Sequence, residues 1–213
     1  MGKVTIAIDV DGVLRDLSDQ ILKYIEVDFP EVYEEVAKNI DKVFYSLDPH
    51  FRTNEELVAW MYEGRVFELF GMAGRINRNV IDKLNFFTEV AEENGYEVWI
   101  ASVQKGRSIS ATMNWLSKWG CRVKNYKFFD TMQDKIDHGF DVYLDDCPMV
   151  VEQILELEKN NPLYVNPDGA DIVVPRAIKV PYEFNSHVEC PSLDIRGGNF
   201  DDLYGLLNLE KKL

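Results

Sequence analysis

The stretch Lys3-Val4-Thr5-Ile6-Ala7-Ile8-Asp9-Val10-Asp11-Gly12-Val13-Leu14 decides the reading of this chain. Its first half is short, apolar and rich in β-branched residues, as a strand buried on both faces of a parallel sheet should be. It then runs into two aspartates, Asp9 and Asp11, followed by Gly12. Open α/β sheets bind their ligands beyond the carboxyl ends of their strands, so acids at this point mark a candidate site. Gly12 allows the backbone to turn away tightly just after them.

Outward from this stretch the same grammar recurs, with further strands expected at residues 96–102, 140–145 and 162–165. Helical spacing of apolar residues occupies 80–94, 109–119 and 150–159 between them. Strand and helix in alternation imply an α/β fold, a parallel sheet with helices on both faces. Residues 16–78 break the alternation with helical patterns at 18–29, 32–40 and 55–62. They are expected to form a small helical cap inserted after the first strand, leaving residues 1–15 and 79–213 as the core domain. Phe44 and Tyr45, Trp60 and Met61, and residues 67–70 are the cap's tip candidates, either lining a pocket or forming the cap's own core. Near the end of the chain, Asn199 reads as the cap of a last helix reaching Leu209, with Asp201 and Asp202 in its first turn.

Composition narrows the classes of function. A chain of 213 residues with 46% apolar content can bury one full core and carry a smaller insert. The balance of 23 basic against 37 acidic residues repels a polyanion and argues against a nucleic-acid polymer as partner. No stretch approaches the roughly 20 consecutive apolar residues that cross a bilayer, and Met1 leads into a strand without a signal-peptide core, so no membrane is expected and the cytoplasm is the expected location. Cys121, Cys147 and Cys190 are odd in number and widely spaced, which fits reduced thiols. The histidines, His50, His138 and His187, are equally scattered and offer no metal centre.

Polar residues at several strand ends carry the chemistry. Asp9 and Asp11 leave the first strand, Ser102 leaves the strand at 96–102, and Asp145 and Asp146 leave the strand at 140–145, with Lys135 shortly before it. Aspartates two apart divide labour: one attacks phosphorus as a carboxylate, and the other reaches the leaving oxygen. Asp9 and Asp146 together in a dry cleft repel, and a hard divalent cation with oxygen ligands, Mg2+, removes the repulsion while neutralising phosphate. A lysine and a hydroxyl complete a cradle for the phosphoryl oxygens.

These residues resemble the motifs of the haloacid dehalogenase (HAD) superfamily of phosphohydrolases, whose first motif is Asp-x-Asp-Gly-(Val/Thr) after a hydrophobic strand. Within it the sequence is most similar to the 5'(3')-deoxyribonucleotidases. Asp134-Lys135-Ile136, then Asp141-Val-Tyr-Leu-Asp145-Asp146-Cys147-Pro148, resembles that family's Asp-Lys and Leu-Leu-Ile-Asp-Asp-Arg-Pro, and Asp201-Asp202-Leu203 resembles its closing Asp-Asp-Trp. The resemblance implies a HAD-like Rossmannoid core, with Asp9 as the nucleophile and Asp11 as acid and then base. It implies magnesium held by Asp9, the Asp11 carbonyl and Asp146, with Asp145 orienting Lys135 or a metal-bound water. Ser102 and Lys105 would touch phosphate, and Lys135 would offset charge near Asp9. Three positions depart from the family: Ala101 precedes Ser102 where Thr-Ser is usual, Cys147 replaces an arginine, and Leu17 stands where an aromatic is expected. Leu17, Phe44, Tyr45 and Phe67 are the substrate-pocket candidates.

The expected activity is hydrolysis of a small phosphoester, a nucleoside monophosphate and preferably a deoxyribonucleotide. Another small phosphoester, such as a sugar phosphate or modified nucleotide, and a catalytically silent fold that binds a nucleotide or a partner are the alternatives.

Overall fold

The structure is a computed structural model, and it describes residues 3–43, 54–160, 176–207 and 209. Five parallel strands form its main sheet: β1 (Val4–Ile8), β4 (Tyr96–Val103), β5 (Asn125–Phe129), β6 (Val142–Asp145) and β7 (Arg176–Lys179), in the order β5-β4-β1-β6-β7. The two numbers between belong to β2 (Arg15–Asp16) and β3 (Gly74–Arg75), an antiparallel ribbon described below. The chain moves from β1 to β4 on one side, then returns to β6 on the other. β1 therefore stands at the switch point, where a crevice opens beyond the strand ends.

Alternation along β1 explains the two layers. Ile6 and Ile8 face one side with Val98, Ile100, Val142, Leu144 and Ile178, against α5 (Val80–Glu93), Trp115 of α6 (Arg107–Lys118) and the C-terminal segment through Phe200 and Leu203. Ala7 faces the other side with Ala101, Tyr143 and Ala177, under α7 (Met132–Asp137) and α8 (Pro148–Asn160). The register sets Ala177, Tyr143, Ala7 and Trp99 side by side across four strands. Alanines beside the two large rings leave room for close packing, where four bulky residues would crowd. Thr5 N and Oγ1 donate to Asp141 Oδ2 at 2.7 and 2.8 Å, and Thr5 Oγ1 accepts from Asp141 N at 3.1 Å, which locks the register of the two site-bearing strands.

Between β1 and β4 the chain makes a helical insertion. After β1 it takes one tight turn, with Leu14 N donating to Val10 O at 2.9 Å. It then enters through β2 and leaves through β3, and these two stalks pair with each other. Between them lie α1 (Leu17–Asp28), α2 (Pro30–Val43), α3 (Asn54–Ala59), a π-helical turn (Trp60–Gly64) and α4 (Val66–Met72). Asp16 caps α1 by accepting from Asp19 N at 3.1 Å. Leu17, Ile21 and Ile25, one face of α1, bury against Val36, Leu57, Leu69 and Phe70 in a cluster of the insertion's own, joined by Ala111 of α6.

Several expectations are corrected here. β5 and β7 were not anticipated: both are sheet edges with charged or polar residues in short runs, Asn-Tyr-Lys-Phe-Phe and Arg-Ala-Ile-Lys, and edges do not need the continuous apolar run of a central strand. The aromatic tip expected at 67–70 is a helix, α4, and the helix expected at 55–62 changes to a π turn after Ala59. The last helix, α9 (Asp202–Leu206), is preceded by Asp201 rather than capped by Asn199. The strand expected at 162–165 lies outside the described residues. No helix among the described residues is long and apolar enough to cross a membrane.

Candidate active site

Three strand ends meet around Asp9. Its backbone N–H donates to Leu144 O at 3.0 Å, continuing the β1–β6 ladder and setting Asp9 beside Asp145. The Lys135 ammonium lies 2.6 Å from Asp9 Oδ1 and 2.6 Å from Asp145 Oδ2, bridging both. Lys135 is held on a short helix braced at each end. Thr131 and Asp134 form a reciprocal capping box at the N-terminus, and the Tyr143 hydroxyl lies 3.2–3.3 Å from the carbonyls of Lys135 and Ile136. The second oxygen of Asp145 accepts from Cys147 N at 2.9 Å, so protein donors engage both of its oxygens.

Asp9, Asp145 and Asp146 are all buried and bring one carboxylate oxygen each to within 4.8 Å of the others. Burial raises the Asp9 carboxyl to about 7, opposed by Lys135 and assisted by the negative charge of Asp145 and Asp11. Burial also works against the Lys135 charge, but Asp145 and Asp9 outweigh it and hold the ammonium above its usual range. The residues fit a hard divalent cation: the donors are oxygen only, and Asp9, Asp11, Asp145 and Asp146 exceed the charge of the buried Lys135 and Arg15. Gly12 completes the cradle. Its φ is +72°, and a Cβ there would lie within 2.5 Å of Asp146 Cγ.

Asp11 is held differently. Arg15, wholly buried, grips it with two parallel bonds, Nε to Oδ1 at 2.7 Å and Nη2 to Oδ2 at 2.9 Å. Gln104 Nε2 donates to the same Oδ2 at 2.8 Å. The remaining guanidinium nitrogen donates to the Phe70 carbonyl and to Thr112 Oγ1, between the rings of Phe70 and Trp115. One side chain thus ties Asp11 to the insertion through α4 and to the core through α6.

The other expected residues fall in three groups. Ser102 is buried near the end of β4, in register with Phe128, on the strand beside β1. Lys105 is exposed on the loop after β4, where its backbone N–H bonds Ser108 Oγ at 2.9 Å. Leu17 is buried in the insertion's own cluster, the place its apolar side chain favours. Phe67 is 44% exposed on α4, with the Arg107 guanidinium 5.3 Å from its ring. Phe44 and Tyr45 lie outside the described residues. Cys147 is buried, and burial with the adjacent Asp145 pushes its thiol up to about 12, which suits a space-filling group.

Residues not anticipated from sequence include Arg15, Gln104, Tyr62, Tyr182 and Asn185. Arg15 had a signal: a charge inside Val-Leu-Arg-Asp-Leu, four residues after Asp11. Tyr62 sits on the π turn with its ring 5.1 Å from Phe70. Burial pushes its phenol up to about 12, and Asp11 and Asp9 add to the effect, so it lies within electrostatic reach of both acids.

No protein-family model matches the sequence, nor does any curated protein. Solved structures match in fold. A HAD family hydrolase from Deinococcus radiodurans with bound phosphate and sodium is 11% identical, with 96% of each chain covered and a TM-score of 0.57. YfnB from Bacillus subtilis, bound to magnesium, is 10% identical over 98% of this chain and all of its own, at 0.56. CbbY from Rhodobacter sphaeroides, in complex with phosphate, is 14% identical over 97% of this chain and 99% of its own, at 0.54. With its 5-4-1-6-7 parallel sheet and an insertion between the first strand and the next, the chain has the fold of the haloacid dehalogenase-like hydrolases.

Proposed function

We propose that this chain is a magnesium-dependent phosphomonoester hydrolase that carries the phosphoryl group on Asp9, with nucleoside monophosphates, preferably deoxyribonucleotides, as substrates. The observation that carries the proposal is the buried Asp9–Lys135–Asp145 bridge with Asp146 beside it. A carboxylate placed at a strand end, oriented by a lysine that is itself fixed by a second acid, is built to attack rather than to stabilise the fold. Removing two acids and a lysine from water is costly, so a purely structural reading has little to recommend it.

In the proposed reaction an Asp9 oxygen bonds phosphorus as the ester oxygen leaves. Asp11 supplies the proton that the leaving oxygen needs. It then takes one from the water that attacks phosphorus, which releases inorganic phosphate and restores Asp9. Bonded to Arg15 and Gln104 through N–H donors only, Asp11 is arranged for the second half, and it must loosen one of these bonds to deliver a proton in the first. Lys135 balances the charge on Asp9 throughout. Asp9, Asp146 and the Asp11 carbonyl would hold magnesium, which when bound would supply positive charge that offsets these acids for an anionic phosphate. Ser102 and Lys105 are the proposed phosphate contacts. The insertion serves as the cap, and the exposed Phe67 and the Tyr62 ring are its described aromatics for a base. The free cysteines suit a reducing compartment, the cytoplasm.

The test is phosphate release from a panel of deoxy- and ribonucleoside monophosphates and sugar phosphates, with and without magnesium. Magnesium-dependent release from nucleotides is expected, reduced at least about 10³-fold by Asp9→Asn. Equal release by Asp9→Asn would overturn the nucleophile, and release from sugar phosphates alone would overturn the substrate.

A further inference from the structure

We infer that the turn following β7, residues 182–188, positions the cation-binding carboxylate, and that Asn185 is the positioning residue through which it acts. The inference rests on the reading of Asp9 and Asp146 as cation ligands. Asp146 lies on the short bend between the last residue of β6 and Pro148, the first of α8. Pro148 brings no N–H to that link. A rotation of the Asp146 peptide there would swing the carboxylate out of the cradle against Gly12.

Asn185 opposes that rotation. It is wholly buried, and its Nδ2 donates to Asp146 O and to Val180 O, both at 2.8 Å. Its Oδ1 accepts from Tyr182 N at 2.9 Å. Both amide protons are thereby committed, one to the carbonyl of the ligand residue and one to the strand end beside it. From the same turn the Tyr182 hydroxyl donates to Gly12 O at 2.8 Å. One short segment thus holds the two residues whose contact makes the cradle, Asp146 and Gly12, which are 134 positions apart in the numbering. The turn itself is pinned by Lys179, a buried ammonium at the end of β7 that donates to Asn185 O at 3.2 Å and Val188 O at 2.5 Å. Tyr182 and Phe184 stack beside it at 4.8 Å.

The test is magnesium uptake by the full-length protein, measured by calorimetry with the metal alone, for wild type, Asn185→Ala and Tyr182→Phe. Partners that orient a metal's ligands typically contribute 10–100-fold in affinity. Asn185→Ala is expected to bind magnesium on the order of 10–100-fold more weakly, and Tyr182→Phe to shift it in the same direction by less. Saturating magnesium is expected to restore kcat in Asn185→Ala, which a general loss of structure would not allow. Affinities within about twofold of wild type in the folded variants overturn the inference. If Asn185→Ala does not fold, Tyr182→Phe decides in the same way. Uptake by wild type with unchanged variants overturns this inference alone, whereas no uptake by wild type overturns the reading of the site and this inference with it.

Discussion

The Asp9 carboxyl sits where burial raises it to about 7, and Lys135 at 2.6 Å is the group that opposes this. The site is therefore a balance of buried charges rather than a single reactive acid, and small displacements within it matter. Gly12 shows this most simply. Any side chain there meets two separate penalties, the left-handed backbone at φ +72°, about 1–2 kcal/mol, and the overlap of its Cβ with the Asp146 carboxylate. Gly12→Ala should leave a folded protein whose phosphate release falls by about 10²-fold, the upper range for disturbing a metal's ligand set; activity within a few-fold of wild type would show that the Gly12–Asp146 contact is dispensable. At this scale Asp9, Asp11, Asp145 and Asp146 stand out in the sequence because they close apolar runs, and Lys135 because Asp134-Lys135-Ile136 resembles a family motif. Asn185 was not, because its partner lies 39 residues away and its own neighbours have no periodicity.

Among elements, the central strands β1, β4 and β6 and helices α5, α6 and α8 announce themselves by their apolar spacing. The edges β5 and β7 escape notice because edge strands tolerate Asn125, Lys127, Arg176 and Lys179. The π turn escapes for a different reason: Leu57, Trp60 and Met61 keep the three-to-four spacing of a helix, and tertiary bonds decide the local geometry. Trp60 Nε1 and Arg65 Nε both donate to Asp28 Oδ2 at 2.8 Å, and Arg65 Nη2 reaches Asp28 Oδ1 at 2.6 Å, clamping the turn to the end of α1. The Arg65 bond, with Trp60 assisting, lowers the Asp28 carboxyl against a partial desolvation that raises it. A carboxyl depressed in the folded state contributes stability that is fully present above its unfolded value of about 3.9 and is lost as pH falls through its folded value. Asp28→Asn should therefore lower the thermal midpoint at neutral pH, with the gap to wild type closing below about pH 3.9. A gap that stays constant into acid would remove the ionic part of this clamp.

Across the whole molecule, sheet order is what turns scattered acids into a site. Residues 9, 102 and 145–146 converge because β1 lies between β4 and β6, a placement that the alternation of strands and helices implies but does not order. Arg15 then links this centre to the insertion through the Phe70 carbonyl and to the core through Thr112, so the insertion and the acid Asp11 share one rigid contact. In a chain of net charge -14, Lys135 and Arg15 are buried cations, each bonded to acids at the strand ends. In the proposed reaction phosphorus is bonded to Asp9 during turnover. The most direct test is a crystal structure of the protein grown with magnesium and beryllium fluoride, a mimic of a phosphoryl group on a carboxylate. The mimic is expected bonded to an Asp9 oxygen, with the Lys135 ammonium alongside and the cation between Asp9 and Asp146. A mimic bound to any other residue, or a cation site formed without Asp146, would contradict it.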